Sequence, residues 1–264
     1  MNIQSSQKLT KLIGYQYLGT IPYRRSLEYQ NILVKKRQIF DALSEDEKKN
    51  TKEIPDILLL LQHPPTYTNG VRNNYNVATE EMDRLKSLGA DYVAIRRGGE
   101  ITYHGPGQLV GYPIINLRNH GLGLRDYVHR LQDSILDTCS KFDVPCSTSS
   151  ENIGVWRGNK KIAALGVHHQ RYVTSHGFAL NCTTDLKWFD HIIPCGLKNK
   201  GVTSFMHEKG TVGQTNPEPS VETVVEAYRD SFSKIFNVQL KPLHEIAPYL
   251  CLESQEMQNE LIET

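Results

Sequence analysis

The cysteine at position 195 has the surroundings of a nucleophile. It lies between a proline and a glycine in "HIIPCGL", where a turn exposes the sulfur and frees backbone N–H groups nearby. Cys139 lies on the apolar stripe of a predicted helix, and we expect it to be buried. Cys146 and Cys182 lie at the ends of predicted elements, and Cys251 lies near the end of the chain. Cys195 is therefore the best nucleophile candidate, and an ordinary turn cysteine is the alternative.

The pattern of cysteines and histidines predicts neither a disulfide framework nor a metal site. The five cysteines are odd in number and irregular in spacing, and no C-x-x-C occurs. Five histidines raise the question of zinc: His104, His168, His169, His176 and His191. Their spacing does not match H-E-x-x-H or a similar ligand pattern. We therefore expect reduced thiols and no metal ion.

A glycine-rich stretch, "RRGGEITYHGPGQLVGYPI", covers residues 96–114. Its five glycines would let a ligand approach the backbone closely. It matches neither the G-x-x-x-x-G-K-[ST] phosphate loop nor the G-x-G-x-x-G fingerprint. A tight hairpin or bulge without a ligand is the alternative, although Tyr103 and His104 are hard to explain as turn residues.

Lys161 and His176 each lie in a strand-like segment that contains small residues. Lys161 opens "KIAALG", where Ala163, Ala164 and Gly166 leave space beside it. A lysine at the start of a strand is usually a surface residue, and the functional alternative is an ammonium that projects into a cleft. His176 lies in "SHGFALN", and a lone histidine in such a strand is more often a satisfied core residue than a catalyst.

The elements that must position these residues are a mixture of strands and helices. We predict strands at "DILLLLQHP", "DYVAIRR", "QLVGYPIINL", the hairpin "NIGVWRGNKKIAALGVHH" with its turn at "RGNK", and "TSHGFALNC". We predict helices over residues 24–50, 79–88, 124–142 and 221–236, the last with Ser220 as its N-cap. The charged run "SEDEKKNTKE" and residues 198–219 are expected to be loops, and the acidic end of the chain is expected to fray.

Length and composition place these elements in a single α/β domain with a mixed β-sheet flanked by helices. The 264 residues are 39% apolar and 22% charged, and the formal net charge is +1. No overall basic field indicates a nucleic acid as the main partner, and no apolar run of about 18 residues indicates a membrane-spanning helix. We place the catalytic domain at residues 1–245 and a C-terminal tail at residues 246–264.

The beginning of the chain carries a weak targeting signal. It has no apolar signal-peptide core and no acidic residue before Glu28, while Lys8, Lys11, Arg24 and Arg25 are basic. This composition is compatible with a mitochondrial address. A basic segment that simply docks on the fold is the alternative.

Four stretches, in this order, resemble the lipoyl(octanoyl) transferase family: "RRGGEITYHGPGQLVGYPI", "GVWRGNKKIAALGV", "TSHGFALN" and "DHIIPCGLKNKGVTS". The resemblance runs from about residue 12 to about residue 207, and "NCTTDLKWFDHIIPCGL" is more similar to the animal mitochondrial members than to the bacterial ones. It implies a fold similar to the biotin and lipoate protein ligase catalytic domain. It also implies the transfer of an octanoyl group from acyl carrier protein to a specific lysine of a lipoyl domain, without a cofactor, as the first step of protein lipoylation.

The same resemblance implies roles for individual residues. Cys195 accepts the acyl group as a thioester, and Lys161 lowers the pKa of the Cys195 thiol. The acyl-binding positions are Arg97, Gly98, Gly99, Glu100, Ile101, Thr102, Tyr103, His104, Ala164, Leu165, Gly166, Gly177, Phe178 and Ala179. The implied partners are octanoyl-acyl carrier protein, the lipoyl domains of 2-oxoacid dehydrogenase complexes and the glycine cleavage H protein. The implied enzyme is a mitochondrial monomer.

Two other functions fit the motifs less well. An ATP-dependent lipoate or biotin protein ligase of the same fold needs no nucleophilic cysteine, and the glycine-rich stretch carries no phosphate-binding lysine motif. A non-catalytic acyl-binding protein would have no reason to keep both Lys161 and Cys195.

Overall fold

The computed structural model describes residues 11–70, 79–194, 200–212 and 218–263. The described strands are β1 (Lys11–Thr20), β2 (Asp56–Gln62), β3 (Thr66–Asn69), β4 (Asp91–Ala94), β5 (Thr102–His104), β6 (Gln108–Ile114), β7 (Ser147–Thr148), β8 (Val155–Arg157), β9 (Lys160–Gln170), β10 (Val173–Asn181), β11 (Gly201–Val202) and β12 (Val238–Pro242). The described helices are α1 (Tyr23–Ala42), α2 (Glu45–Lys49), α3 (Thr79–Ser87), α4 (Leu124–Ser140), α5 (Phe205–Val212), α6 (Val221–Phe236), α7 (Leu243–Ile246) and α8 (Gln255–Glu263). Short 3-10 helices cover Leu117–His120, Leu186–His191 and Pro248–Leu250.

The main sheet is mixed, in the order β12-β1-β2-β6-β10-β9-β8-β7. The pairs β12–β1 and β1–β2 are parallel, and the pairs from β2 to β7 are antiparallel. Strand β11 pairs in parallel with the beginning of β9. A second, three-stranded sheet has the order β4-β3-β5. The predicted mixed sheet flanked by helices is confirmed, whereas the second sheet was not predicted.

Strand β2 has a continuous apolar run over residues 57–61 because both of its faces are covered. Leu58 and Leu60 pack into a core that α4 and α6 share, whereas Ile57, Leu59 and Leu61 pack on the other face beneath α1. The sheet is therefore sandwiched between two layers of helix, as its continuous apolar run requires. None of the described helices combines the length and the apolar character needed to cross a bilayer.

Several predicted elements are confirmed with small changes of boundary. Helix α4 carries its apolar stripe inward, and Cys139 on that stripe is fully buried. Strands β8 and β9 form the predicted hairpin, and Gly158 adopts the left-handed conformation in its turn. The Ser220 hydroxyl caps α6 by accepting a hydrogen bond of 3.2 Å from the Thr223 N–H.

Three predictions of local structure were wrong. The helix predicted over 24–50 ends at Ala42, because Ser44 starts a new short helix as its N-cap. The described part of 198–219 is not only loop, since it contains β11 and α5. The end of the chain forms α8, and Met257 is fully buried under α1 instead of lying on a frayed tail. In each case tertiary or capping contacts outweighed a polar composition.

Candidate active site

One cleft gathers most of the predicted acyl-binding positions. It lies between the β9–β10 pair and the loop 97–99, beside the start of α1, and it has a cavity volume of about 40 Å³ and opens to solvent. Its lining residues are Tyr23, Arg97, Gly98, Gly99, Thr102, His104, Tyr112, Ala164, Leu165, Gly166, His176, Gly177, Phe178 and Ala179.

The missing side chain of Gly166 allows the loop to approach the sheet. Gly166 of β9 pairs with Gly177 of β10. A Cβ atom at Gly166 would lie only 2.8 Å from the Gly98 carbonyl oxygen and 3.0 Å from Arg97 Cδ. The Gly98 N–H donates to the Val167 carbonyl at 3.2 Å. The small residues of "KIAALG" and "SHGFALN" therefore create the cleft wall, because larger side chains would displace the loop or fill the space.

The buried side chain of Arg97 holds this loop in place through hydrogen bonds. Its guanidinium donates to the Gly98 and Glu100 carbonyls at 3.0 Å, and to the Thr68 carbonyl and hydroxyl oxygens at 2.8 and 2.7 Å. The side chain thus ties the loop to β3 of the small sheet while one side of it faces the cleft. Only 7% of Arg97 is exposed.

The predicted acyl-binding residues do not all face the cleft. Thr102 and His104 of β5 line it, while Tyr103 between them points to the other face of the strand, as strand alternation requires. The Tyr103 ring stacks on Trp188 with centroids 5.2 Å apart, and Ile101 packs against the same aromatic cluster. Glu100 also does not line the cleft, and its carbonyl receives the Arg97 hydrogen bond.

Hydrogen bonds define the tautomer of His104. The Gln108 amide nitrogen donates to the Tyr103 carbonyl at 3.1 Å, so its carbonyl oxygen faces His104 Nδ1 at 2.9 Å. His104 therefore carries its proton on Nδ1 and presents an unprotonated Nε2. The same amide nitrogen donates to Asn181 Oδ1 at 2.9 Å, and Asn181 in turn donates to the Thr203 carbonyl at 2.9 Å. The network links the cleft to β11.

Gln108 is the centre of that network, and we expect Gln108→Leu to lower the free energy of unfolding by about 1–3 kcal/mol, because it strands buried donors and acceptors. Gln255→Leu, at an exposed glutamine on α8, should change it by less than about 0.5 kcal/mol. Urea unfolding of both variants measures the difference. Equal stability of the two variants would contradict the structural role of the network.

Three residues of the cleft and one beside it were not among the predicted site residues. Tyr23 and His176 line the cleft together with Tyr112, and the Tyr112 hydroxyl donates to His63 Nε2 at 2.9 Å. His63 Nδ1 donates to the Ile21 carbonyl at 2.9 Å, which leaves the Tyr112 hydroxyl as the donor in the first bond. His176 could be singled out in the sequence, because it lies in the motif "SHGFALN". Tyr23, His63 and Tyr112 could not, because they come from separate elements.

The histidines around the cleft are electrically neutral. Burial lowers the pKa of His63 to about 4 and, together with the nearby Arg97 guanidinium, that of His176 to about 3. Burial, His63 and Arg97 hold the pKa of His104 well below its ordinary value. Arg97 is thus the positive group of the cleft, and the three imidazoles act as neutral donors and acceptors near pH 7.

Lys161 is buried at the start of β9, with only 7% of it exposed. Of the two alternatives for Lys161, the surface residue is therefore ruled out. Its ammonium lies 4.9 Å from the centre of the Trp156 ring, a cation–π distance. A Cβ atom at Gly154 would lie 3.1 Å from Lys161 Cε, so the missing side chain leaves room for the lysine stem. No carboxylate of the described residues forms an ion pair with Lys161.

Cys195 lies outside the described residues, but the chain on either side of it is described. Pro194 lines a depression of about 310 Å³ together with Gly201 and Val202. Strand β11 places Val202 in register with Lys161, and the Thr203 N–H donates to the Lys161 carbonyl at 2.9 Å. The segment that contains Cys195 thus leads into a strand paired with Lys161.

Three of the described cysteines, Cys139, Cys182 and Cys251, do not resemble nucleophiles. Burial raises the pKa of Cys182 to about 12 and that of Cys251 to about 11. A hydrogen bond with Cys146 and burial raise the pKa of Cys139 well above its ordinary value. A thiol with a raised pKa contains little thiolate at neutral pH, so these cysteines are poorly suited to nucleophilic attack.

Known proteins are similar to this chain in sequence. The lipoyl protein ligase A/B catalytic domain matches residues 22–233. The mitochondrial octanoyl-[acyl-carrier-protein]:protein N-octanoyltransferase of Danio rerio is 43% identical over 217 residues, which cover 82% of this chain and 91% of that protein. A mitochondrial octanoyltransferase of Arabidopsis thaliana is 39% identical over 241 residues, which cover 90% and 94% of the two chains.

Solved structures share the fold at low sequence identity. A lipoate-protein ligase A bound with ATP superposes with a TM-score of 0.69 at 13% identity, and the match covers 97% of this chain and 94% of that one. The bi-partite lipoate protein ligase of Thermoplasma acidophilum gives a TM-score of 0.64 at 15% identity, with 96% and 91% covered. The family resemblance of the four motifs is confirmed: the chain belongs to the lipoyl protein ligase A/B catalytic-domain family, and within it to the octanoyltransferases, which are acyltransferases.

Proposed function

We propose that the octanoyl group comes from octanoyl-acyl carrier protein and passes through a thioester on Cys195 to a lysine of a lipoyl domain. The observation that supports this most is the buried ammonium of Lys161, at the start of the strand that continues into the cleft wall. A free cysteine has a pKa of about 8.5, and a cation within about 4–6 Å lowers it by about one to three units. Lys161 is thereby the group that favours the Cys195 thiolate.

The reaction has two acyl transfers. The Cys195 thiolate attacks the thioester carbonyl, the bond to the pantetheine sulfur breaks, and that sulfur leaves as a thiolate that takes up a proton. The amine of the acceptor lysine, after losing a proton, then attacks the new thioester. The amide forms, the bond to Cys195 Sγ breaks, and the second proton of the amine is released. A thioester is converted to an amide, so the transfer is downhill and needs no ATP.

The described groups limit which donors can serve the reaction. Lys161 Nζ and His104 Nε2 are the two candidates for relaying the amine proton. The backbone N–H groups of Arg97 and Gly98 already bond the Ile95 and Val167 carbonyls. They are therefore not free to stabilise an oxyanion, and we assign that task to backbone N–H groups of the turn that the sequence predicts at Cys195.

Both protein substrates are expected to be acidic and to meet basic residues on this chain. Arg96 and Lys160 are exposed and can serve this purpose. Arg97 cannot serve this purpose, because it is buried inside the loop. Arg157 is half-buried and pairs with Glu208 at 3.5 Å, so it contributes less. The acceptors we propose are lipoyl domains of 2-oxoacid dehydrogenase complexes and the glycine cleavage H protein.

We further propose that the enzyme is a monomer and works in the mitochondrion. The relatives from Danio rerio and Arabidopsis thaliana are both mitochondrial by name, and the beginning of this chain is basic before Glu28.

One experiment tests the proposed route. The protein is mixed with octanoyl-acyl carrier protein without ATP, and its intact mass is measured. We expect a gain of one octanoyl group that is absent in Cys195→Ser and retained in Cys146→Ser, a matched change at a half-buried thiol. Adding a lipoyl domain should discharge the adduct. No adduct and no transfer would overturn the proposal, and activity on free octanoate that requires ATP would favour a ligase.

A further inference from the structure

We propose that His176 closes the far end of the acyl cleft and sets the longest acyl chain that the enzyme accepts. The inference rests on the proposed function, because it takes the thioester to lie towards Lys161. It concerns a residue that lines the cleft next to the predicted acyl-binding position Gly177.

The register of β9 and β10 gives the length of the cleft wall. Ala164 pairs with Ala179, Gly166 with Gly177, and Val167 with His176. Three residues separate Ala164 from Val167, which corresponds to about 10 Å along a strand. An extended eight-carbon acyl chain is about 9 Å long, given C–C bonds of about 1.5 Å. A chain whose carbonyl lies level with Ala164 therefore ends at His176.

His176 is held as a rigid wall. Its backbone N–H donates to Gln30 Oε1 of α1 at 2.9 Å. The Tyr112 ring stands perpendicular to the imidazole, with centroids 6.2 Å apart. Only 5% of His176 is exposed. Support from a helix on one side and from an aromatic ring on the other prevents the imidazole from moving aside for a longer chain.

Two features of His176 are energetically unfavourable, and no contact among the described residues offsets them. Its φ angle is +55°, a left-handed conformation that residues other than glycine seldom adopt. Its Nδ1 atom is buried without a hydrogen-bond partner among the described residues. Such unfavourable features mark functional positions when they cluster in a binding site.

The test is a chain-length series. Wild-type protein and variants are mixed with acyl carrier protein charged with acyl groups of six to fourteen carbons, and the rate of acyl-enzyme formation is measured by intact mass. We expect His176→Gly to raise the rate with twelve carbons relative to eight by about tenfold or more, because it opens the end of the cleft. Glycine also suits the left-handed backbone, so this variant should fold.

Two further variants complete the series. His176→Asn keeps a polar side chain that tolerates φ above zero, and its twelve-to-eight ratio should lie between wild type and His176→Gly. Arg171→Gly relieves the same type of backbone strain at φ +48° outside the cleft, and its ratio should equal that of wild type. If the wild type formed a normal octanoyl adduct but His176→Gly kept the wild-type twelve-to-eight ratio, only the proposed role of His176 would be overturned. No adduct of any length in the wild type would overturn the proposed function as well.

Discussion

Lys161→Met should lower the rate of octanoyl transfer at pH 7 by about 10- to 1,000-fold. Methionine keeps an unbranched apolar stem beside Gly154 and over Trp156, but it removes the positive charge. Without a nearby cation the pKa of the Cys195 thiol rises by about one to three units, and the thiolate fraction falls by up to the corresponding power of ten. The acid limb of the pH–rate profile should move to higher pH by the same number of units.

Lys160 provides a matched control for this experiment. It is the preceding residue of β9, but its side chain is exposed, and its ammonium lies 3.4 Å from His207 Nε2. Lys160→Met should leave the acid limb of the profile in place, although it can weaken encounter with an acidic protein substrate. The rate at which iodoacetamide alkylates Cys195, measured as a function of pH, gives the pKa of that thiol directly. An unchanged profile in Lys161→Met would remove Lys161 from the mechanism.

Acidification from pH 7 to pH 5 should lower the free energy of unfolding by about 4 kcal/mol through His63 and His176, each contributing about 2 kcal/mol. Their folded-state pKa values, about 4 and about 3, lie below the ordinary value of 6.5. Between these values the unfolded chain binds protons that the folded chain does not. The stabilisation is therefore complete above pH 6.5 and is lost as the pH falls towards the folded pKa values.

Two variants identify the source of this acid sensitivity. His63→Gln removes one buried titrating group and should reduce the loss between pH 7 and pH 5 by about 2 kcal/mol. His129→Gln changes an exposed histidine on α4 and should leave the loss unaltered. Urea unfolding at several pH values measures the slope. If stability in the wild type did not vary across this range, the buried histidines would not be neutral in the folded protein.

Local sequence patterns predicted an element correctly where the buried face of that element is visible in its own residues. The apolar run of β2 and the helical stripe of α4 report which faces are covered, because periodicity reflects burial directly. The pattern failed at Ser44, where a capping box with Glu47 starts a second helix inside a charged run. It failed again at α8, because the burial of Met257 depends on a helix more than two hundred residues earlier in the chain.

In the candidate site too, some features were predicted from the sequence and others depended on the tertiary structure. The resemblance of the motifs to a known family implied the cleft-lining residues of the glycine loop and of the hairpin, and the small residues among them are also visible in the sequence. The motifs did not separate Tyr103 from its neighbours Thr102 and His104, since that depends on which face of β5 meets the cleft.

The sequence by itself determined the α/β class, the transferase family and the identity of the nucleophile candidate, because apolar periodicity and closely spaced motifs are properties of neighbouring residues. Only the tertiary structure decided that Lys161 is buried over Trp156, that His63, His104 and His176 are neutral, and that His176 lines the cleft. Each of these properties arises where strands, helices and loops distant in sequence exclude water from the same side chain, and that exclusion is absent from any local pattern.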